Sequence, residues 1–399
     1  MSIAKKIKAA SWHLLCCLPL LAGAYAIPAQ AQVEEIKAEV AKIKWYGDFR
    51  TRLESDWDRK DAAGDSVSGS DRTRLRIRGR FGAKYVYQDN IEFGFRLRTG
   101  SERSHQSPHI TIIDFNDNDT GDSDLNFDKY YMKGTYNEFS GWVGRNSHPF
   151  WRQDEFFWDD DVTPLGVAGS YKTTLGKQKV EVNSGYFSMP SGMVNTAGNL
   201  YGAQGVWGSS LGDNTSFTLA AGYFVYDALG DPDDAFDKGR LADNNDTRDY
   251  ETTVLNGQLK FKLGVPLTIG ANYYSNGESY TDAELALTPT GVSKDDDDGY
   301  SAFIKANVAQ DWEVSYYYAD IDFLAFNGSY GQDDWVRFGG ESGDGESIEA
   351  RSTDIKGHEG RVKYTIDDRS NLVLRVYLVE ANRDDAASNR ARVDYNWKF

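Results

Sequence analysis

The chain has 399 residues, with a formal net charge of −17, two cysteines, 39 Gly and abundant aromatics: 24 Tyr, 20 Phe and 10 Trp. Such acidity excludes a nucleic-acid-binding surface as its main role, since phosphate backbones demand clustered Lys and Arg. Two cysteines exclude a disulfide framework, and no stretch beyond the N-terminus approaches the roughly 20 apolar residues of a membrane-spanning helix.

Residues 1–31 open with Lys5, Lys6 and Lys8, continue through an apolar run and end in Ala29-Gln30-Ala31. This is the layout of a secretory signal peptide cleaved after Ala31. Leu14 to Ala26 is too short to cross a bilayer as a helix. Cys16 and Cys17 lie inside the run, too early for lipid attachment at the cleavage point, and no cysteine follows them. Removing this segment takes away three lysines and no acids, leaving −20 over 368 residues. Residues 32–44 form a second segment, a short periplasmic helix. Val33, Ile36, Val40 and Ile43 fall at coiled-coil spacing. It serves either as a surface helix or as a three-stranded contact in a homotrimer.

From residue 45 to 399 the pattern changes to a period of two, the signature of strands with one apolar and one polar face. Sixteen strands are predicted. The first is KWYGDFRTRLE, with Trp45, Phe49 and Leu53 on one face and Asp48, Arg50 and Arg52 on the other. The second, RTRLRIRGRFGAKYVY, puts Thr73, Leu75, Ile77, Gly79, Phe81 and Ala83 on one side. Its other side carries Arg72, Arg74, Arg76, Arg78 and Arg80. The third, NIEFGFRLRTG, adds Arg96 and Arg98. The last, ARVDYNWKF, alternates Val393, Tyr395, Trp397 and Phe399 with Arg392, Asp394, Asn396 and Lys398.

Connections after even-numbered strands are short, such as NE, GKQ and GVP. Those after odd-numbered strands are mostly long, acidic and glycine-rich: residues 227–249 hold eight acids and Asp295 to Asp298 four more. Strict up-and-down order with all long loops at one end suits a transmembrane β-barrel and not a Greek-key sandwich. The expected fold is therefore all-β: a 16-stranded antiparallel transmembrane β-barrel with short periplasmic turns and long extracellular loops. Its place is the bacterial outer membrane, in contact with lipid and lipopolysaccharide. Closure of the last strand on the first removes the sheet edge that lipid cannot satisfy.

Lipid-facing arginine at mid-depth costs roughly 2–4 kcal/mol, so the arginines of the first three strands belong inside. They either line the pore and set ion preference or brace the wall through Asp48, Glu54 and Glu92. The loop after strand five, NSHPFWRQDEFFWDDDVTPLG, is expected to fold inward. Phe150, Trp151, Phe156, Phe157 and Trp158 then pack on the inner wall, or Trp151 and Trp158 form a sugar-stacking track. Asp154, Glu155, Asp159, Asp160 and Asp161 face the arginines across a narrow aqueous gap. With cations prevailing inside, moderate preference for anions is expected, because exposed mouth charges are screened beyond about 8 Å at physiological salt.

No cofactor is expected. DFNDNDTGDSD has the acidity of a calcium loop, but a calcium-hand register starting at Asp114 puts Asp119 where Gly belongs. Loop carboxylates remain candidates for sharing divalent cations such as calcium with lipopolysaccharide phosphates. After the signal only His105, His109, His148 and His358 occur, in loops or at strand ends with no evident serine and orienting acid, so no enzyme is expected.

KWYGDFRTRLESD, DRTRLRIRGRFGAKYVY, NIEFGFRLRTG and GWVGRNSHPFWRQDEFFWDDDVTPLG together resemble the bacterial "putative porin" family, over about the first 40% of the mature chain. The resemblance implies a passive channel for ions and small hydrophilic solutes, with the loop after strand five in the place of a general porin's constriction loop. The alternatives are a saccharide- or carboxylate-specific channel and a non-conducting structural or adhesin barrel. The ending, with Tyr395, Trp397 and Phe399, resembles the terminal signal that barrel-assembly machinery reads.

Overall fold

The computed structural model describes residues 34, 37–67, 71–116, 123–193, 195–228, 248–286, 288, 291–335 and 352–399. The signal segment 1–31 and residues 117–122 of the calcium-like loop lie outside them, as does most of the acidic 227–249 loop. Of the segment 32–44, residues 34 and 37–41 are helical or end a helix.

From Ile43 onward the chain is nearly all sheet. The strands are β1 (Ile43–Lys60), β2 (Arg72–Tyr87), β3 (Ile91–Thr99), β4 (Ile110–Asp114), β5 (Leu125–Tyr136) and β6 (Phe139–Arg145). There follow β7 (Leu165–Leu175), β8 (Gln178–Ser191), β9 (Asn195–Ser210), β10 (Ser216–Ala228), β11 (Tyr250–Leu263) and β12 (Val265–Asn276). The series ends with β13 (Asp298–Ala309), β14 (Trp312–Ile321), β15 (Ile355–Thr365), β16 (Ser370–Glu380) and β17 (Ala387–Lys398). Every paired neighbour is antiparallel, and β17 pairs with β1 to close the sheet.

Seventeen segments fill sixteen positions. β2 pairs through Arg80–Tyr87 with β3 and through Arg74–Ile77 with β4, so β4 resumes the position of β3 after a ten-residue excursion, residues 100–109. The sequence pattern treats this excursion as part of a long loop. The turns after β5, β7 and β11 are tight: Asn137, Gly176 and Gly264 adopt φ of +50°, +63° and +72°. That left-handed backbone suits the right-handed twist of the strands it joins.

Alternation sorts the side chains onto two faces. The outer face carries a belt of exposed apolar and aromatic groups, among them Trp45, Leu53, Phe81, Val393, Tyr395, Trp397 and Phe399. Ala83 alternates onto this side yet is buried. The inner face of β6–β16 holds an aromatic core including Trp142, Phe187, Phe224, Tyr274, Phe303, Tyr317 and Tyr377. The inner face of β1–β3 and β17 holds charge instead, so apolar packing and ion pairing divide the interior between them.

Register is testable at the closing seam, where Leu53 stands opposite Val393. A slip of one residue sends side chains to the opposite face. Leu53→Cys with Val393→Cys should cross-link on oxidation, seen as a mobility shift, while Leu53→Cys with Arg392→Cys should not. Equal cross-linking of both pairs contradicts this register.

Candidate functional site

The inner face of the seam is an ion-pair lattice. The pairing places Arg52 opposite Asp394, Glu54 opposite Arg392 and Asp56 opposite Arg390. Arg52 donates to Asp394 at 2.7 Å, Arg392 to Glu54 at 2.6 Å and Arg390 to Asp56 at 3.0 Å. β2 inserts its arginines from the other side. Arg74 and Arg76 reach Glu54, and Arg78 and Arg80 reach Asp48 at 2.9 and 2.7 Å. Arg72 pairs with Asp114 on β4, and Arg96 with Asp128 on β5 at 2.6 Å. Arg98 holds the backbone carbonyls of Ser104 and His105 in the excursion.

These arginines are mostly buried: Glu54 and Arg98 are 0% exposed and Arg52 1%. Taking such charges out of water is tolerable only when each finds a partner and its remaining donors are used. The geometry is that of a bracing lattice. Arg50 and Arg98 differ from the rest: among the described residues Arg98 meets only backbone carbonyls, and Arg50 donates to a neutral amide, Asn396 Oδ1, at 2.6 Å. Sequence reasoning had Asp48 and Glu54 as acids of this wall but missed Asp56, Asp128 and Asp334. A register shift at Arg96/Leu97 turns both Asp128 and Lys129 inward, which strict alternation cannot foresee.

Two long loops fold into the barrel. The first, residues 146–164 after β6, is seated by its aromatics. Phe150 packs edge-on against Phe224 at 4.8 Å, Phe157 against Phe224 at 5.0 Å, and Trp158 against His148 at 4.5 Å. A Cβ on Gly202 would lie 2.6 Å from the Phe150 ring, so β9 recesses its wall to receive it. Phe150, Phe156 and Trp158 are buried, and Trp151, half-buried, is held through its backbone by Gln204 at 2.7 and 2.9 Å.

The second loop, residues 322–354 after β14, is described as far as Trp335 and again from 352. It went unrecognised in the sequence. Phe323, Leu324, Phe326, Tyr330 and Trp335 are buried. That apolar run in a loop was the available signal, the same one that identified the first. The two loops touch: Phe156 meets Trp335 at 4.7 Å, and Asp159 N donates to Tyr330 O at 2.9 Å. The excursion after β3 supports them, with His105 2.7 Å from Ser329 O and Gln106 donating to Gly331 O at 2.6 Å.

Among the described residues, each loop delivers one carboxylate to the arginine wall. Asp161 pairs with Arg80 at 2.5 Å and Arg78 at 3.5 Å. Burial alone would raise its pKa, but Arg80 and Arg78 hold it well below the usual range. Asp334 pairs with Arg392, with Arg375 at 3.1 Å and with Arg52 at 3.5 Å. Against its burial, these guanidinia hold it well down too.

The other first-loop acids make no ion pair among the described residues. Asp154 points at β12 and β13, accepting from Asn272 and from Ser301 at 3.2 Å, and burial raises its pKa. Glu155 is pushed up to about 7 by burial and then by Asp160. Asp159 is raised by burial and then by Asp333, while Asp160 is exposed. The carboxylates of Asp159, Asp160 and Asp161 come within 4.8 Å of one another, but two arginines already claim Asp161. The gap between loop and wall is therefore closed by direct contact at Asp161.

Two cavities among the described residues border the charged wall. A vestibule of about 600 Å³ lies between the inner faces of β1–β3 and β14–β17, where nine Lys/Arg and two Asp/Glu line it. A smaller one of about 230 Å³ lies under both loops, bounded by Asp154, Glu155, Asp334, Glu359 and Lys305. Arg361 and Arg375 line both. Of the remaining histidines, His109 and His148 are held neutral by burial, and His358 meets Tyr316 OH at 2.6 Å on the outer face.

Comparison with known proteins gives a family-model match over part of the chain and a fold. Residues 66–256 match the model described as putative porin. No curated protein matches the chain. Among solved structures, OprB of Pseudomonas putida superposes with a TM-score of 0.54 at 11% identity, covering 93% of this chain and 97% of its own, and so shares the fold. A triple-mutant porin of Rhodopseudomonas blastica aligns at 15% identity over 90% of this chain and all of its own, with a TM-score of 0.49.

Glu155 supplies a pH test. Its docked pKa of about 7 exceeds the ordinary 4.5, so the docked loop holds a proton that a released loop does not. Docking is then favoured by acid and weakens as pH rises from about 4.5 to about 7. Corrected hydrogen-exchange protection of residues 153–162 should be greater at pH 5 than at pH 8, and Glu155→Gln should reduce that difference, with Asp154 and Asp159 supplying the remainder. An unchanged difference in the variant contradicts the assignment.

Proposed function

Residues 66–256 carry the pattern of the putative porin family, and from that premise we propose that the chain forms an outer-membrane diffusion channel for ions and small hydrophilic solutes, with moderate anion preference. The observation that carries the sign is the vestibule, where nine cationic side chains face two carboxylates. Low-dielectric walls focus such an excess into the water between them, and the acidic outer mouth is screened by salt.

The lattice arginines contribute less than a count suggests. Arg74, Arg76 and Arg78 are spoken for by Glu54, Asp48 and Asp161. Selectivity on this reading rests with Arg50, Lys363 and their neighbours in the vestibule, and the inward loops act as constriction and neutraliser. The membrane location, a homotrimeric assembly and recognition of Tyr395, Trp397 and Phe399 by assembly machinery are parts of the same proposal. Support for a membrane setting comes from the apolar outer belt, whose replacement by charge is costly only in lipid.

A non-conducting barrel is the second reading, favoured by the aromatic core that the two loops build inside. Planar-bilayer recording of the purified protein separates the two. The channel reading predicts stable open conductance and a zero-current potential on the anion side in a salt gradient. Arg50→Gln with Lys363→Gln should reduce that anion preference. Absence of conductance contradicts the channel, and a cation-selective parent contradicts the sign.

A further inference from the structure

We propose that the vestibule is a binding site for small solutes carrying two carboxylate groups, held at its two ends by Arg50 and by Lys363. This rests on the channel reading, because the solute must enter the barrel to reach it.

The case begins with successive levels of the wall. On one level Arg361, Arg375 and Arg392 stand in direct register on β15, β16 and β17. Like charges directly opposite repel, and the protein answers each with its own carboxylate. Glu359 meets Arg361 at 2.7 Å, Asp334 meets Arg375 at 3.1 Å, and Glu54 meets Arg392 at 2.6 Å.

Towards the short turns the next level holds Lys363, Val373, Asp394 and Arg52, where Asp394 serves Arg52, and the level after it holds Arg50 with Asn396 and Asn371. Arg50, Lys363, Arg369 and Lys398 all line the vestibule, and among the described residues none has a carboxylate within the 4 Å of an ion pair. The two acids of the vestibule do not serve them. Asp48 is occupied by Arg78 and Arg80. Glu313 stands opposite Lys363 on β14 without closing an ion pair. Between the ends lie two amides in one chain of hydrogen bonds: Arg50 donates to Asn396 at 2.6 Å, and Asn396 donates to Asn371 at 3.0 Å. Amides can turn either way, donating to a carboxylate or accepting from a hydroxyl.

Spacing selects the ligand. Arg50 is on β1 and Lys363 on β15, three strand spacings across, and Lys363 stands two residues further along its strand, level with Val373, Asp394 and Arg52, so the two backbones are roughly 16 Å apart at about 4.8 Å per strand and about 3.3 Å per residue. Long side chains shorten that distance by reaching inward, but one carboxylate, or a compact ion such as phosphate, meets one end only. A short chain with an acid at each end meets both and lies along the amides. Arg50, already turned by Asn396, offers its remaining N–H groups to one acid, in the way Arg52 grips Asp394. Lys363 meets the other as a point charge, with Arg369 and Lys398 adding field from the rim.

The test uses the full barrel in detergent, titrated calorimetrically with succinate, butyrate and inorganic phosphate at low salt. Succinate should bind and weaken as salt rises, while butyrate and phosphate bind at least about tenfold less tightly, the loss expected when one charged end goes unmet. Arg50→Gln and Lys363→Gln should each cost succinate about tenfold, Arg50→Lys should restore part of it, and Lys172→Gln, outside the vestibule, should change nothing. Heat-modifiable mobility checks that each variant is folded. Equal binding of butyrate or phosphate, no succinate binding, or indifference to Arg50 and Lys363 in folded variants overturns the site. Conductance recorded on the same preparations separates the two readings. A conducting barrel that ignores succinate loses the site but keeps the channel. One that binds succinate without conducting keeps the site and loses the channel.

Discussion

Glu54 is the constraint on which the rest of this interior depends. It is fully buried, and four guanidinia reach it: Arg392 at 2.6 Å, Arg76 at 3.5 Å, Arg52 at 3.9 Å, and Arg74. Those arginines come from the first, second and last strands, so one carboxylate ties together the two strands that close the barrel and the neighbour beside them. A buried charge left alone costs several kcal/mol. Closure and neutralisation are thus one event: until β17 brings Arg392 and Asp394, Glu54 and Arg52 lack their best partners. The seam also carries backbone pairing, but the lattice is what specifies which residues meet.

The same electrostatic demand explains the loops. Five alternating arginines on β2 cannot be satisfied by β1 alone, whose inward acids are Asp48, Glu54 and Asp56. The shortfall is met by Asp114 on β4 and by Asp161 from the first inward loop, while Asp334 from the second loop is clasped by Arg52, Arg375 and Arg392 of β1, β16 and β17. Aromatic packing on the opposite wall supplies the other anchor, through Phe150, Phe157 and Phe326. Each loop is therefore apolar where it leans on β8–β14 and acidic where it meets β1, β2 and β17. The vestibule lies beside these contacts, sharing Arg78 and Arg80 with the first loop and Arg375 with the second.

Much of this was legible from sequence for a simple reason. Period-two alternation in a barrel assigns inside and outside residue by residue, and short and long connections fix direction. Strand two, with arginine at every second position from 72 to 80, could not be read otherwise. What stayed hidden depends on contacts across the barrel. Whether Arg74 faces water or Glu54 depends on strand order in three dimensions, since Arg74 and Arg392 meet at Glu54 from opposite ends of the chain. Asp128 needed the bulge at Arg96/Leu97. The second loop was overlooked because its acidic, glycine-rich continuation resembles the solvated loops, while the period-two pattern of the preceding strand runs on to Phe323 and leaves only Leu324, Ala325 and Phe326 as an apolar signal. The excursion 100–109 was missed because its strand resumes for only five residues.

On the proposed channel reading, the wall governs ion preference and the loop carboxylates moderate it. Asp334→Asn tests this most directly, because it removes one negative charge from among Arg52, Arg375 and Arg392, of which Arg375 also lines the vestibule, and leaves every cation in place. In a salt gradient across a planar bilayer, the zero-current potential of a folded Asp334→Asn channel should move further toward the anion limit than that of the parent. An unmoved potential, or one displaced toward cations, contradicts the account.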